Sequence, residues 1–384
     1  GTPIDPEAEL GLLPSAHRQI VAIARAILAR ARLIVMDEPT TALTRHEVEA
    51  LFAIVRDLQS RGIAILFVSH KMREMLEIAE RLTVLRNGRK VAEGPMRDFD
   101  EAAITRAMTG QDLAETPFRP AIPADRAPLL EVAGLRVPGA VHGVDLAIRP
   151  GEIVGLSGLI GSGRTELARA LFGLEPRMAG TVRLEGREVR PRSVGEAIGL
   201  GIAYVPEDRL TEGLFLPRTI EENLVVSILD RLRRGPFLNR AAARAQAAGM
   251  FAQMQIAAPS PAVPVANLSG GNAQRVMLGR WLMTGARLLI LNGPTVGVDV
   301  GSKARIHAII RDLARERGLA VLMISDDAPE LATNCNRVLV MHRGRLVDEL
   351  VAGHGVGRGA GQGDDLGGAA LTETRINDAL KALD

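Results

Sequence analysis

At 384 residues the chain is long enough for two or more domains, each with its own core, and 47% apolar content with mixed charge describes a globular protein rather than a disordered one. A net charge of +2 gives no overall electrostatic case for nucleic acid or an acidic membrane. A single cysteine, Cys335, excludes a disulfide framework within the chain and suits a reducing cytosol, and no apolar run reaches the roughly 18 residues that would suggest a membrane span.

In chain order, the amino-terminal GTPIDPEAELGLLPS lacks the charged-then-apolar pattern of a signal segment. Residues 13–30 predict an amphipathic helix, and Leu33 to Met36 a buried strand of the continuous apolar kind found in parallel sheets covered on both faces. At the carboxyl end of that strand stand adjacent acids, Asp37 and Glu38, followed by Pro39. Ligands of open α/β sheets bind at that end. One such acid can hold a hydrated Mg²⁺ and the other can polarise an attacking water; two solvated acids opening a turn are the plain alternative. A helix over 45–60, a strand over 63–68, His70, a helix over 72–80 and a hairpin turning at Asn87-Gly88 follow. Residues 114–128, with four prolines, read as a linker. Antiparallel strands over 129–137 and 141–152 then precede a buried strand, Ile153 to Ser157, and strands alternating with helices point to a parallel α/β sheet. The tail from Gly353 to Gly368 is Gly-rich, and a last helix is expected near Thr372 to Leu383.

The chain repeats itself. ARLIVMDEPTTALT at 31–44 returns as ARLLILNGPTVGVD at 286–299, the segment beginning at Leu13 returns at Leu268, and the segment beginning at Gly62 returns at Gly318. The offsets are 255, 255 and 256, a duplication of a unit of roughly 250 residues. Only about 115 residues of the first copy are present, so the chain is expected to begin inside a domain. The expected division is 1–115 for the carboxyl-terminal half of a first domain, 116–128 for a linker, 129–352 for a second domain and 353–384 for the tail and terminal helix.

Directly after strand 153–157 comes GLIGSGRT, residues 158–165. A strand, a Gly-rich loop and a helix are what a phosphate-binding loop needs: backbone N–H groups facing a concavity, aided by the helix dipole. Gly158, Gly161 and Gly163 permit close approach, Ser162 lies between them, Arg164 stands where such loops carry lysine, and Thr165 stands where a hydroxyl meets Mg²⁺. A tight turn between strand and helix is the plain alternative. Ser269, Gly270 and Gly271, in LSGGNAQ, place a hydroxyl and bare N–H groups at a helix start.

The glycine loop, LSGGN, the strand ending in the acid pair and VSH about 30 residues on resemble the nucleotide-binding domains of ABC transporters. The tandem arrangement, YVPEDR at 204–209 followed by EGL and ENL, GVDVGSK at 297–303 and VMHRGR at 340–345 are similar to the ATP-binding subunit of bacterial monosaccharide importers of the ribose, xylose and galactose type. The resemblance implies tandem P-loop NTPase domains, each with a RecA-like parallel sheet, a helical subdomain and a small antiparallel β subdomain, the first of them incomplete. It implies ATP and Mg²⁺ as ligands and two unequal sites. In the first, Asp37 would hold the Mg²⁺ shell, Glu38 would polarise water and His70 would contact the γ-phosphate, with Ser269, Gly270 and Gly271 facing them. In the second, Arg164 replaces lysine, Asn292 and Gly293 replace the acids, Asp326 stands for His70, Glu207 takes the place of a glutamine, and Pro14 stands where Ser269 has its counterpart. That site is expected to hold ATP as a structural clamp with little or no turnover.

The resemblance further implies docking on membrane permease subunits at the cytoplasmic face of the inner membrane, with a pair of such chains on the permease. The segment from Glu207 to Asn223 would lie near the permease contact, and a periplasmic or extracellular sugar-binding protein would deliver a sugar or sugar alcohol. A soluble tandem ABC ATPase of the ribosome-associated type is the alternative, disfavoured by one worn site and a short linker; a nucleotide-binding fragment without turnover is another. This chain by itself is expected to be inactive, because its intact acids lack their own glycine loop.

Overall fold

The computed structural model describes residues 4–13, 15–28, 31–40, 43, 45–69, 71–86, 88–110, 122, 125–175, 178–351 and 370–383. His70, Asn87, Pro14, nearly all of the expected linker before residue 125 and the Gly-rich tail lie outside them. The chain divides into two compact units that part near residue 114.

The first unit runs α1 (Ser15–Leu28), β1 (Leu33–Asp37), α2 (Arg45–Ser60), β2 (Ala64–Val68), α3 (Met72–Ile78), β3 (Arg81–Arg86), β4 (Arg89–Pro95) and α4 (Glu101–Thr109). Strands β1 and β2 pair in parallel, and β3 and β4 form the expected antiparallel hairpin. Ile34 and Met36 alternate with the other side chains of β1 and pack with Phe52, Val55 and Leu58 of α2. A second small core joins Met75, Leu82, Val84, Met96 and Ile104. The expectation that β1 is buried on both faces is not met. Leu33 and Val35 are 56% and 60% exposed, because α2 covers the face carrying Ile34 and Met36 while these two lie on the other. The described residues of this unit build a two-stranded parallel pair rather than a full sheet.

The second unit begins with β5 (Leu130–Val137), β6 (Val141–Ile148), β7 (Ile153–Gly158), α5 (Arg164–Leu171), β8 (Ala179–Leu184), β9 (Arg187–Glu188), α6 (Val194–Gly199) and β10 (Ile202–Val205). Next come α7 (Ile220–Val225), the short pair β11 (Arg233–Arg234) and β12 (Phe237–Leu238), α8 (Arg240–Gln253), α9 (Gly270–Met283) and β13 (Leu288–Asn292). It closes with α10 (Val300–Arg317), β14 (Ala320–Ile324), α11 (Ala328–Asn334), β15 (Arg337–His342), β16 (Arg345–Val351) and α12 (Glu373–Lys381). One sheet has the order β10-β13-β14-β7-β15-β16, parallel except for β16. Its inner strands β7, β13 and β14 are buried at every position, as their uninterrupted apolar runs require. A four-stranded antiparallel sheet, β6-β5-β8-β9, adjoins it, and α7, α8 and α9 form a helical layer. This is a RecA-like parallel core with a small antiparallel β subdomain and a helical subdomain, as expected for one domain.

Elements of the first unit recur in the second at the offsets seen in sequence. Leu33–Asp37 and Leu288–Asn292 are both strands, 255 apart (33 against 288). Ala64–Val68 and Ala320–Ile324, Met72–Ile78 and Ala328–Asn334, and the two hairpins are 256 apart (64 against 320). Even a side-chain contact repeats: Thr40 Oγ1 donates to Glu74 Oε2 at 2.5 Å, as Thr295 Oγ1 does to Glu330 Oε1 at 2.7 Å.

Candidate nucleotide-binding site

The parallel order of β13, β14 and β7 brings their carboxyl ends side by side, with Asn292 in register with Ile324 and Ile324 with Leu156. The loop from Leu159 to Gly163 leaves β7 there and enters α5, whose first turn holds Arg164 and Thr165. A side chain on Gly158 would run into the Met341 carbonyl oxygen, and one on Gly163, at φ +101°, into that of Ala140. Only bare backbone fits, so the loop can approach a ligand closely. Ser162 is 4% exposed, yet its hydroxyl has no hydrogen-bond partner in the protein. A buried hydroxyl left unsatisfied costs about 1–3 kcal/mol unless something supplies a partner. Glycine cradle, orphan hydroxyl and helix start together suit a phosphate group.

The residues expected to serve the phosphate and metal instead contact each other. Arg164, 9% exposed, donates from Nη1 to Asp326 Oδ1 at 2.6 Å and from Nη2 to the Leu159 carbonyl at 3.5 Å. Asn292 Nδ2 donates to Thr165 Oγ1 at 3.3 Å and also bonds Tyr204, whose pKa burial pushes up and that bond lowers in part. An amide and a glycine stand where two carboxylates would favour a divalent cation, so these residues do not fit Mg²⁺. Among the described residues no group of three or more His, Cys, Asp or Glu could hold a metal ion.

Gly293 accounts for itself in backbone terms. Its φ is +60°, and a side chain there would meet Glu207 Cγ and Val296 Cγ2, each at 3.0 Å. Glu207, exposed after β10, thus packs against the backbone at the place of the second acid. In the first unit Glu38 takes the same left-handed conformation at φ +44°, with its N–H on the Val68 carbonyl at 2.8 Å, just as the Gly293 N–H meets the Ile324 carbonyl at 2.9 Å. A side chain held at positive φ costs about 1 kcal/mol or more. Asp37 and Glu38 are both exposed at the strand end.

Ser269 is the exposed N-cap of α9, and its hydroxyl accepts from Asn272 Nδ2 at 2.9 Å. Gly270 lies so near the Gly297 carbonyl and Arg209 that a side chain would stand 2.8 Å from each, and Gly271 is buried. Arg209 is a residue whose role the motif string conceals. It donates to the carbonyls of Val296 at 2.5 Å and Gly297 at 3.1 Å, tying the segment after β10 to the turn after β13. The segment from 207 to 223 is likewise no loose surface loop. Buried Asn223 bonds Phe215 through both its backbone groups, and Arg280 donates to the Asn223 carbonyl (2.8 Å), Asn223 Oδ1 (2.6 Å) and the Gly213 carbonyl (2.5 Å). Burial pushes the Arg280 guanidinium down to about 10. Changing Arg280 to Met leaves those carbonyls unpaired and is expected to cost about 2–4 kcal/mol, read as a lower urea midpoint.

The family model for ABC transporters matches residues 141–296. Ribose import ATP-binding protein RbsA 3 of Rhizobium etli is 45% identical over 344 residues, which cover 90% of this chain and 67% of that protein. Ribose import ATP-binding protein RbsA of Corynebacterium glutamicum is 38% identical over 380 residues, covering 99% of this chain and 70% of the relative. A nucleotide-free ATP-binding cassette from an ABC transporter has the fold of the second unit, with a TM-score of 0.52 at 20% identity over 58% of this chain and 91% of that one. With a parallel core, glycine loop and helical layer of this kind, and with identity of this extent to such relatives, the chain belongs to the ABC transporter family, whose ATP-binding proteins hydrolyse ATP to drive transport.

Proposed function

We propose that the protein is the ATP-hydrolysing subunit of an importer for a monosaccharide or sugar alcohol, with one site competent for turnover and one that holds nucleotide without it. Its relatives named for ribose import support the transport class. The repeated elements support reading residues 1–115 as the carboxyl-terminal half of a first domain and 129–352 as a second. In this reading Asp37, Glu38 and His70 supply the metal-binding and hydrolytic groups for one ATP, and Ser269, Gly270 and Gly271 supply its signature segment. Mg²⁺ bound with ATP neutralises phosphate charge; Glu38 orients water and accepts its proton, and His70 stabilises charge on the phosphate. Gly158, Gly161, Ser162, Gly163, Arg164, Thr165 and Glu207 line the second, non-hydrolytic site. Permease subunits are the direct partners, the binding protein an indirect one, and the protein lies peripherally on the cytoplasmic face of the inner membrane. Among the described residues no helix is long and apolar enough to cross a membrane.

The observation that carries the division into two sites is the Asn292 amide on Thr165, with a glycine beside it, where the first unit has Asp37 and Glu38. It predicts that nucleotide bound to this 384-residue chain is insensitive to metal. Adding EDTA should change the affinity for a fluorescent adenine nucleotide by less than about threefold, and steady-state ATP turnover should stay at background. A loss of affinity of tenfold or more in EDTA, or turnover abolished by changing Thr165, would overturn the division.

A further inference from the structure

The second site carries a charge arrangement that goes beyond an impaired catalytic geometry. Its cation, Arg164, is already neutralised by a carboxylate from the end of β14, Asp326, at 2.6 Å. Arg164 is almost wholly buried, while the Asp326 side chain is 66% exposed, so the acid forms the solvent side of the pair. A second acid, Glu207, lies across the strand ends, against Gly293. The loop therefore presents to an incoming phosphate chain a guanidinium that a carboxylate already pairs.

A diphosphate can be held by groups that carry no net charge: loop N–H groups, the orphan Ser162 hydroxyl and Thr165 at the start of α5. A further phosphate would have to draw Arg164 away from Asp326 and leave that carboxylate beside a new negative charge. Asn292 and Gly293 offer no acid pair to retain a divalent cation that would offset the repulsion. For a carboxylate as open to water as Asp326, one such like-charge contact is worth about tenfold in affinity. We propose that Asp326 is a specificity-determining residue that makes this site select a nucleoside diphosphate over a triphosphate, the Arg164–Asp326 pair occupying the charge position a terminal phosphate would need. The inference rests on the reading of the glycine loop as a nucleotide site, and it moves that site's preferred occupant from ATP to ADP.

The 384-residue chain contains one such loop, so binding to it reports on this site directly. The test is equilibrium binding of fluorescent ADP and ATP, in EDTA, to the unaltered chain and to Asp326→Asn and Asp326→Ser, with thermal melting to establish that each variant folds. The unaltered chain should prefer ADP by about tenfold, and both variants should bring the two affinities within about twofold, chiefly by improving ATP. Equal affinities in the unaltered chain, or a preference that both folded variants retain, would overturn the role of Asp326 while leaving the nucleotide site standing. Failure of the unaltered chain and of the folded variants to bind either nucleotide would overturn the nucleotide site itself, and the selectivity with it.

Discussion

In a form of the protein that hydrolyses ATP, changing Glu38 to Gln should lower turnover roughly 10²–10⁴-fold, the scale for a positioned acid–base group. The measurement is single-turnover hydrolysis with ATP binding followed separately, and wild-type turnover would remove Glu38 from the mechanism. The backbone gives this prediction a second arm. Glu38 is held at φ +44°, a conformation glycine adopts freely and the second unit fills with Gly293. Glu38→Gly should therefore stabilise the first unit by about 1 kcal/mol while turnover falls as it does for Glu38→Gln. A residue kept where its own backbone disfavours it is kept for its side chain. In the second unit the reverse change, Gly293→Glu, adds both the strained φ and contacts at 3.0 Å, so restoring the missing acid by one substitution should destabilise rather than revive that site.

The second large effect lies behind the strand ends. Glu330 is buried, and it receives Thr295 Oγ1 (2.7 Å), His307 Nε2 (2.6 Å) and Ser325 Oγ (2.5 Å). One carboxylate thus fixes the turn after β13, the end of β14 and helix α10. Burial pushes its pKa up, but the hydrogen bond and charge of His307, the charge of Lys303 and the Ser325 hydroxyl outweigh that and leave it at about 2. Because the folded value lies below the ordinary 4.5, the charged carboxylate stabilises the fold above pH 4.5, and that contribution is lost as pH falls from 4.5 towards 2. Glu330→Ala strands three buried donors and should cost about 3–5 kcal/mol, lowering the melting temperature by roughly 6–20 °C and flattening the acid limb of the stability profile. An unchanged acid limb would remove Glu330 as its source.

Much of the architecture was legible because it is written locally. The unbroken apolar runs at 153–157 and 288–291 and the glycines after Ser157 announce strand, loop and helix within a few residues of one another. The Asn87-Gly88 turn announced its hairpin in the same way, and self-comparison exposed the repeat that no single stretch shows. What stayed hidden joins distant parts of the chain. Arg164 and Asp326 are 162 residues apart, and neither residue type alone announces an ion pair. Arg209, Asn223, Arg280 and Glu330 are ordinary polar residues until folding buries them and brings their partners near. The one misjudged strand, Leu33 to Met36, has the composition of a doubly covered strand, and composition cannot say whether a second cover is supplied.

That uncovered side of β1 and β2 has a practical consequence. Leu33 and Val35 share it with Leu66 and Val68, all between 43% and 60% exposed. An apolar strip on a two-stranded ribbon gains little from staying closed in water, so its backbone amides should exchange with deuterium earliest within this unit. The same strip is adhesive. Heating a dilute and a concentrated sample should give different apparent melting points, with clouding in the concentrated one that a mild non-ionic detergent delays.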